Sequence, residues 1–464
     1  MTERPNLLVI MSDQHAARWC GCYGQATVKT PNIDALARNS VVFDSAYCHS
    51  PLCVPSRMSF MTGRRIQDIG VWDNNTTLSS DTRTWAHAVR SAGYDAVLCG
   101  KMHFAGADRL HGFRAQLAAD PAGDDEHSMP VPDWKRGRVS DISVTDIRAL
   151  MKAEPGTSFA TDVDDLAVEQ ACGYLSSPEG RDQPWALMVG LYLPHPPLTV
   201  EQEYLALYDD ESIDLPVIPS GHLDRQHPVH RRSRSMKRSP DRFADADIRA
   251  VRRAYYACAS RVDHCVGRVL DALRSSGQED RTVVVYTSDH GEMLGEHGLW
   301  TKSSFYEESA SVPLVIRMPE APAARVRQPV SLLDLSATIV DFAGADLPGC
   351  AGESLRPLIE PASSRAADHT AGGGRRPSVF GEYYGTWVDR PLAMIRGERY
   401  KLVQSLNEPP ELYDLERDPH ETHDLGTNTG HERIRAELQQ TLFEQWDPQR
   451  LYDRVIASQQ ERLG

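Results

Sequence analysis

The sequence contains no long apolar run. Near its start only Leu7–Met11 is continuously apolar, which is too short for the central region of a signal peptide. No later run approaches the roughly 20 residues that a membrane-spanning helix needs. These absences argue against an integral membrane protein, and we therefore expect a cytoplasmic protein with no membrane partner.

Cysteine is present, but not in the arrangement of a common zinc motif or a disulfide framework. The chain has 9 cysteines, an odd number, and Cys20 and Cys22 are separated by one residue only. Typical zinc motifs separate paired cysteines by two or more residues. Reduced thiols in a cytoplasmic protein are the simplest interpretation of this pattern.

Positive charge is also in deficit. The 50 Lys and Arg residues against 65 Asp and Glu residues give a formal net charge of −15. This balance argues against a nucleic-acid partner, and an anionic substrate would have to be attracted by local cations. The basic segment His227–Arg242 contains no interleaved aromatic residues, so we predict a solvated loop or a mobile lid there.

Buried strands alternate with helices along most of the chain. Strands are expected at Leu7–Met11, Val41–Tyr47, Tyr94–Cys99, Trp185–Leu193 and Thr282–Thr287. A long helix or a pair of helices is expected over residues 244–273. The alternation predicts an α/β fold with a large, mixed, mostly parallel sheet flanked by helices.

A different pattern near the C-terminus predicts a second, smaller domain. Short strands at residues 378–384, 393–396 and 400–405 precede a helix near residues 431–446, as in an α+β subdomain on an antiparallel sheet. The segment Pro361–Pro377, which contains three consecutive glycines, is predicted to be a linker. We therefore place a catalytic domain at residues 1–370 and a C-terminal subdomain at residues 371–464.

Polar and ionisable residues follow the predicted strands at their carboxyl ends, where open α/β sheets bind ligands. These residues are Asp13, Gln14, Lys101, His103, His195, Asp289 and His290. Each alone has a structural explanation as a helix cap, a turn residue or a solvated side chain. Their occurrence at successive strand ends favours one shared active site.

The segment Cys53-Val54-Pro55-Ser56-Arg57 leads into an apolar run that is compatible with a helix. Pro55 suits the first turn of a helix, and the helix N-terminus favours an anion at Cys53. Arg57 lies one turn further along the same face and can reach back toward Cys53. A lone cysteine is more often a small buried hydrophobe, so these residues by themselves do not specify a reaction.

The C-x-P-S-R string, followed by Thr62-Gly63-Arg64, resembles the signature of type I sulfatases, in which this cysteine is oxidised to formylglycine after translation. Gly100-Lys101-Met102-His103 and Ser288-Asp289-His290-Gly291 resemble two further motifs of that family. The resemblance covers nearly the whole chain. It implies the alkaline-phosphatase-like fold and the hydrolysis of a sulfate monoester to an alcohol and inorganic sulfate.

The resemblance also implies a nucleophile and a metal. Hydrated formylglycine at position 53 would present two geminal hydroxyls, and an adjacent divalent cation would lower the pKa of the attacking one. The implied metal ligands are Asp13, Gln14, Cys53 as formylglycine, Asp289 and His290. Mostly oxygen ligands favour Ca²⁺, whereas the histidine nitrogen also admits Mn²⁺. Gln14 stands where many relatives have a second aspartate and offers only its carbonyl oxygen.

The remaining implied roles concern sulfuryl transfer, in which positioning and charge stabilisation supply most of the catalysis. Arg57 would orient the nucleophile, and Lys101 and Lys302 would bind the sulfate oxygens. His195 together with Lys302 would provide the proton for the leaving alkoxide. His103 would be the base that takes a proton from the second hydroxyl as sulfate is expelled.

Two further stretches, Val71–Asn75 and Asp108–Phe113, most resemble choline sulfatases. They support a subgroup of the family and not a substrate. A small soluble ester such as choline-O-sulfate fits the expected cytoplasmic location better than a polymeric glycan does. Asn74, within the first stretch, is a candidate for substrate contact. The aromatic residues Tyr383, Tyr384 and Trp387 could line the alcohol pocket, although aromatic residues in such positions are more often core.

The resemblance implies a formylglycine-generating maturation enzyme as a partner and admits a homo-oligomer. Two alternatives stay open. A phosphonate monoester hydrolase or phosphodiesterase would use the same scaffold, but those relatives tend to replace the Lys-x-His element, which is intact here. A binding homologue without turnover is the second alternative, although no expected catalytic position is visibly substituted.

Overall fold

The computed structural model describes residues 4–120, 131–137, 152–177, 183–237, 239, 243–360 and 378–463. Its strands are β1 Asn6–Asp13, β2 Val41–Phe43, β3 Ala46–Tyr47, β4 Asp95–Gly100, β5 Ala115–Ala118, β6 Ala153–Pro155, β7 Trp185–Pro194, β8 Leu198–Val200, β9 Thr282–Ser288, β10 Leu314–Arg317, β11 Ala324–Val326, β12 Val330–Ser331, β13 Val379–Tyr383, β14 Leu392–Arg396, β15 Tyr400–Ser405 and β16 Glu411–Asp414.

The helices are α1 Pro31–Arg38, α2 Cys53–Thr62, α3 Ile66–Ile69, α4 Trp85–Ser91, α5 Phe159–Ser176, α6 Gln202–Leu205, α7 His222–Arg225, α8 Pro228–Met236, α9 Asp245–Ser275, α10 Glu307–Ala310, α11 Leu332–Phe342, α12 Arg356–Ile359, α13 Glu432–Phe443 and α14 Pro448–Leu463. Short 3-10 turns include Gly21–Tyr23, Trp134–Arg136 and Glu296–Gly298.

The largest sheet has eight strands in the order β11-β2-β10-β9-β1-β7-β4-β5. The five strands from β9 to β5 are parallel to one another, and β10 runs antiparallel to both of its neighbours. This arrangement confirms the predicted mixed, mostly parallel sheet. Because the central strands are parallel, their carboxyl ends lie along the same edge.

The central strand β1 is buried on both faces, as its continuous apolar sequence predicts. Leu8 and Ile10 belong to the hydrophobic core on one side of the sheet, where α5 and α9 pack. Leu7 and Val9 point to the opposite core, which α2, α4 and α11 cover. Helices on both sides of the sheet therefore shield it from water, and the polar residues collect at the edge.

The sequence located the principal strands to within a few residues but missed some local features. The predicted strand Val41–Tyr47 is interrupted, so that β2 and β3 belong to two different sheets. The predicted helix or helix pair after Ala244 is the single helix α9 of 31 residues. An amphipathic pattern of this length does not show by itself whether the helix bends in the middle.

The C-terminal region contains the expected antiparallel sheet, with strand order β13-β14-β15-β16. Its fourth strand and the final helix α14 were not predicted from the sequence. This sheet joins the larger region through a hydrophobic core that includes Tyr47 and Leu52. The backbone N–H of Glu382 also donates to the carbonyl of His49 at 2.9 Å. The predicted linker 361–377 and the proposed boundary at residue 370 lie outside the described residues.

The prediction of a solvated loop or mobile lid at residues 227–242 is wrong for much of this segment, because Pro228–Met236 forms α8. Pro228 occupies the first turn, and the His227 side chain accepts from the N–H of Val229. Val229 and Ser233 are four residues apart and both buried, so one face of the helix packs against the protein. The positive charge of the segment concealed this amphipathic spacing.

Across the described ranges, no helix has both the length and the apolar character needed to cross a membrane.

Candidate active site

Four parallel strand ends and one helix start bring the predicted site residues together. β1 ends at Asp13, β4 leads into Lys101, and β9 leads into Asp289. β7 ends at Pro194, immediately before His195. Neighbouring parallel strands end on the same side of a sheet, so residues almost 300 positions apart in the chain lie close in space.

Cys53 is the first residue of α2 and is buried. Its Sγ lies 3.2 Å from Nε2 of His290 and 4.0 Å from Oδ1 of Asp13. The helix start is held in place by Asn74, whose Oδ1 accepts from the N–H of Val54 at 3.0 Å. The predicted nucleophile therefore lies among acidic and histidine ligands. Asn74 positions the helix start, and its contact with substrate stays a prediction.

Arg57 joins the two carboxylates of the site. Its Nε donates to Oδ2 of Asp289 at 2.8 Å, and its NH2 group donates to Oδ2 of Asp13 at 3.1 Å. A third bond, from NH1 to the carbonyl of Lys101, spans 3.0 Å. All of these side chains are buried. Arg57 thus binds the groups around Cys53, whereas the helical spacing alone suggested a direct approach to the thiol.

Lys101 adds a second buried cation. Its Nζ lies 2.7 Å from Oδ2 of Asp13 and 3.8 Å from the centre of the Tyr192 ring. Burial alone would raise the pKa of Asp13, but the positive charges of Lys101 and Arg57 oppose it, and this pKa lies well below its usual value. Asp13 is therefore ionised at neutral pH and available to a cation.

Asp13, Cys53, Asp289 and His290 form a buried group that could hold a metal ion, with their ligand atoms all within 4.8 Å of one another. Nδ1 of His290 lies 3.0 Å from the carbonyl of Gly291. If Nδ1 carries the proton that this contact requires, Nε2 presents its lone pair toward Cys53 and Asp13. Two carboxylates and an imidazole nitrogen are suitable ligands for a divalent cation, so the residues fit the predicted metal.

Gln14 is held by other side chains. Its Oε1 accepts from Nζ of Lys302 at 2.6 Å, and its Nε2 donates to the carboxylate of Glu292. Its backbone N–H donates to Oδ1 of Asp289 at 3.0 Å. The residue therefore connects Lys302 to the metal ligands, and its own ligation of a metal stays a prediction.

His103 lies beside the two cations with an unusual backbone conformation, φ +57°. The backbone N–H groups of Met102 and His103 both donate to Oδ2 of Asp120, at 2.8 and 2.6 Å. Among the described residues, nothing forms a hydrogen bond with its buried Nδ1. Burial, with the positive charges of Lys101 and Arg57, lowers the pKa of His103 well below its usual value. The ring is therefore neutral at pH 7, as a general base requires.

His195 is half-buried and directly follows β7, which ends at Pro194. Its Nδ1 lies 2.6 Å from the carbonyl of Pro196, so Nδ1 donates and Nε2 is left without a proton when the ring is neutral. Burial and the charge of Lys302 lower the pKa of His195 well below its usual value. In this state the ring accepts hydrogen bonds at Nε2.

The sequence profile of the sulfatase family matches residues 5–345, well over half of the chain and every predicted catalytic residue. The chain belongs to the sulfatase family. A second profile, described as N-sulphoglucosamine sulphohydrolase, C-terminal, matches residues 295–447 of this sulfatase. The prediction of a sulfuric ester hydrolase is thereby confirmed.

Curated relatives and solved structures agree with this assignment. This sulfatase is similar to the choline-sulfatase of Rhizobium meliloti, with 34% identity over 446 residues that cover 92% of this chain and 83% of the relative. It is 27% identical to the N-acetylglucosamine-6-O-sulfatase of Bacteroides thetaiotaomicron over 507 residues, covering 96% of this chain and 86% of the relative. The crystal structure of the phosphonate monoester hydrolase of Agrobacterium radiobacter matches with a TM-score of 0.76 and 26% identity, over 95% of each chain.

Two of the three aromatic candidates for the alcohol pocket form hydrogen bonds within the C-terminal region of the sulfatase. The hydroxyl of Tyr383 donates to the carbonyl of Thr386 at 2.7 Å, and that of Tyr384 donates to Glu382 at 2.6 Å. Both rings are buried. These contacts favour the core interpretation of the pair. Trp387 has a different neighbour, because its ring centre lies 6.0 Å from Nζ of Lys237.

Lys237 holds the loop that carries Lys302 and was not identified from the sequence. Its buried Nζ donates to the carbonyls of Trp300 and Lys302, each at 2.9 Å, and lies 3.3 Å from Oγ1 of Thr301. Thr301 has φ +64°, a conformation that costs energy for a β-branched residue. Lys237 follows α8, so the basic segment helps to position Lys302, a lysine of the candidate active site.

Replacing Lys237 with methionine should lower kcat by up to about 10²-fold, because small displacements of a catalytic group cost this much. Methionine keeps the apolar stem but leaves the carbonyls of Trp300 and Lys302 without their donor. Steady-state kinetics on an aryl sulfate measure the effect, and Lys237→Arg should recover part of the rate. Arg231→Met, an exposed residue on α8, is the control. An unchanged kcat in Lys237→Met would show that this contact does not position Lys302.

Proposed function

We propose that this sulfatase hydrolyses the sulfate monoester of a small soluble alcohol, such as choline-O-sulfate, with formylglycine derived from Cys53 as the nucleophile. The observation that carries this proposal is the position of Cys53, whose Sγ lies 3.2 Å from His290 and 4.0 Å from Asp13 at the start of α2. The similarity to the choline-sulfatase of Rhizobium meliloti supports the choice of substrate class.

Asp13, Asp289, His290 and the modified side chain at position 53 would hold a divalent cation, with Ca²⁺ favoured and Mn²⁺ as the alternative. When bound, the cation supplies positive charge next to the nucleophile and lowers the pKa of its hydroxyl. Arg57 keeps the two carboxylates in position through one bond to each of them.

Lys101 and Lys302 would bind the sulfate group. Burial and the charge of Asp13 raise the pKa of the Cys53 thiol to about 11, while the ammonium groups of Lys302 and Lys101 act in the opposite direction. Their charges therefore act at the position of the nucleophile, where the substrate's sulfur must come. Preorganised cations in a buried site stabilise the charge that develops during sulfuryl transfer.

Lys302 is the stronger candidate for protonating the leaving alkoxide. Neutral His195 carries its proton on Nδ1, toward the carbonyl of Pro196, and presents an acceptor at Nε2. Lys302 retains ammonium protons beyond the one that it gives to Gln14. In this proposal His195 accepts a hydrogen bond in the site, and Lys302 donates a proton to the leaving oxygen. Neutral His103 then takes the proton that is released as sulfate is expelled.

The role of His103 predicts an unusual pH profile. A base must be neutral to act, and a pKa below 6.5 keeps His103 neutral down to a lower pH than an ordinary histidine. As pH falls, kcat should therefore decline only below pH 6.5. Measuring kcat for aryl sulfate hydrolysis against pH tests this, with His103→Gln expected to lose the acidic inflection together with most of the rate. An acidic inflection at or above 6.5 in the unaltered enzyme would contradict the assignment.

A phosphonate monoester hydrolase is the second candidate, because a solved enzyme of that activity shares the fold along 95% of both chains. The intact Lys101-Met102-His103 element favours the sulfatase reaction. Comparing kcat/KM for an aryl sulfate and for an aryl phosphonate monoester decides between them. We expect the larger value with the sulfate, and a larger value with the phosphonate would reverse the proposal. Sulfate release from choline-O-sulfate then tests the substrate class.

Formylglycine can be detected directly by mass spectrometry of the peptide that contains Cys53, isolated from the native host. We expect the aldehyde in place of the thiol. An unmodified cysteine there would favour a binding homologue instead. The cytoplasmic location, the maturation enzyme, the homo-oligomer and the two-domain boundary stay predictions.

A further inference from the structure

A second group of metal-ligating side chains is formed by Cys20, Cys22 and Asp34. It shares no residue with the active site. The ligand atoms of the three side chains all lie within 4.8 Å of one another, and the two Sγ atoms are 3.5 Å apart. Cys20 is fully buried, whereas Cys22 and Asp34 are half-buried, so the group has a protein-lined side and a side open to solvent.

The separation of the two sulfurs matches that of two ligands on one metal ion. Zn²⁺ binds thiolate sulfur at about 2.3 Å in tetrahedral geometry, which places two sulfurs about 3.8 Å apart. A disulfide requires about 2.05 Å between the same atoms. The observed 3.5 Å between Cys20 and Cys22 is thus close to the first value and far from the second.

The backbone and a neighbouring threonine hold the three ligands together. Cys20 directly precedes the 3-10 turn Gly21–Tyr23, and Cys22 lies within it. A Cβ at Gly21 would come within 2.5 Å of Oδ2 of Asp34, so only glycine allows the carboxylate this close. Oγ1 of Thr30 accepts from the N–H of Gly21 at 2.9 Å and donates to Oδ1 of Asp34 at 3.1 Å. Such hydrogen bonds to ligands orient metal sites.

We propose that Cys20, Cys22 and Asp34 bind a thiophilic divalent cation of the Zn²⁺ class, with water as the fourth ligand on the exposed side. Two sulfur donors select against Ca²⁺ and Mg²⁺, which prefer all-oxygen sites. On binding, each thiol loses its proton to solvent and each sulfur donates an electron pair to the metal. The metal cross-links the turn Gly21–Tyr23 to α1 and stabilises the fold. This site is independent of the proposed reaction.

Titration with Cd²⁺ tests the site, because Cd²⁺–thiolate bonds absorb in the ultraviolet. The full chain carrying Cys53→Ala is used, so that the active-site thiol cannot contribute. We expect absorption that saturates at one equivalent and a rise in the midpoint of thermal unfolding. Cys20→Ser or Cys22→Ser should abolish the absorption and reduce the rise in the midpoint, and Asp34→Asn should weaken binding by about 10-fold or more, within the range for loss of a metal-site partner.

The matched control is Cys172→Ser, which removes a half-buried thiol outside the group and should leave both signals unchanged. Two results would overturn the proposal. One is Cd²⁺ absorption that persists at full strength in Cys20→Ser and Cys22→Ser. The other is a disulfide between Cys20 and Cys22 in the native protein, detected by mass spectrometry without reductant, because oxidised sulfurs do not bind the metal.

Discussion

Replacing Cys53 with alanine should abolish sulfate release, with a loss in kcat of about 10⁴- to 10⁶-fold, as for removal of other catalytic nucleophiles. The side chain lies within 3.2 Å of His290 and 4.0 Å of Asp13, so its removal leaves the cations and carboxylates without a group that can accept the sulfuryl group. The measurement is inorganic sulfate released from an aryl sulfate by the matured enzyme.

The Cys53→Ser variant distinguishes a reaction through formylglycine from one in which a simple hydroxyl attacks the sulfur. A serine hydroxyl at position 53 can accept the sulfuryl group once, but it has no second hydroxyl to drive the elimination of sulfate. Cys53→Ser should therefore accumulate a stable serine sulfate, visible by mass spectrometry, with little steady-state turnover. Cys258→Ala, which removes another buried thiol within α9, is the control and should turn over normally. Undiminished sulfate release by Cys53→Ala would refute the proposed nucleophile.

Replacing Arg57 with methionine should destabilise the metal-free protein by about 3–5 kcal/mol, because it leaves two buried carboxylates without their shared partner. Asp13 and Asp289 each lose one hydrogen bond to the guanidinium. The loss should be smaller when Ca²⁺ is present, since a divalent cation supplies positive charge to the same carboxylates. Urea unfolding of the variant and the unaltered protein, with and without Ca²⁺, measures both effects.

The matched control for Arg57 is Arg252→Met. Arg252 is equally buried and bridges Asp214 and Glu296, at 2.8 and 2.6 Å, outside the proposed metal ligands. Its replacement should also destabilise the protein, but by the same amount with and without Ca²⁺. Equal losses for Arg57→Met at all Ca²⁺ concentrations would argue against a cation between Asp13 and Asp289.

The local sequence predicted the start of α2 at Cys53 and most strands of the large sheet. The start of α2 at Cys53 depends on neighbouring residues, including Pro55, whose preference for a first turn is a local property. The strands β1 and β9 are continuous apolar runs, which only a doubly covered sheet can bury. Since parallel strands end on one edge, the sequence predicted that Asp13 and Asp289 share that edge, and the pairing of β1 with β9 in the folded sheet brings them together.

The C-terminal elements and the basic segment were harder to predict. The strand β16 has only four residues, and α14 follows another helix with a short break, so neither gives a strong periodic signal. Residues 228–236 were predicted to form part of a solvated loop or a mobile lid because of their positive charge. The spacing of Val229 and Ser233, which indicates a helix, was not used. A helix that packs through a narrow apolar strip and presents charges elsewhere can be mistaken for a solvated segment.

The sequence by itself determined which residues could take part in the chemistry, because motif spacing and strand ends are local properties. Only the tertiary structure decided which partners they bind. Arg57 contacts Asp289 across 232 positions, and Lys237 contacts the carbonyl of Lys302 across 65. Such bonds depend on how separate elements pack. The local sequence around a side chain is compatible with several roles. Its partners, and therefore its role, are fixed only when the sheet and its helices pack together.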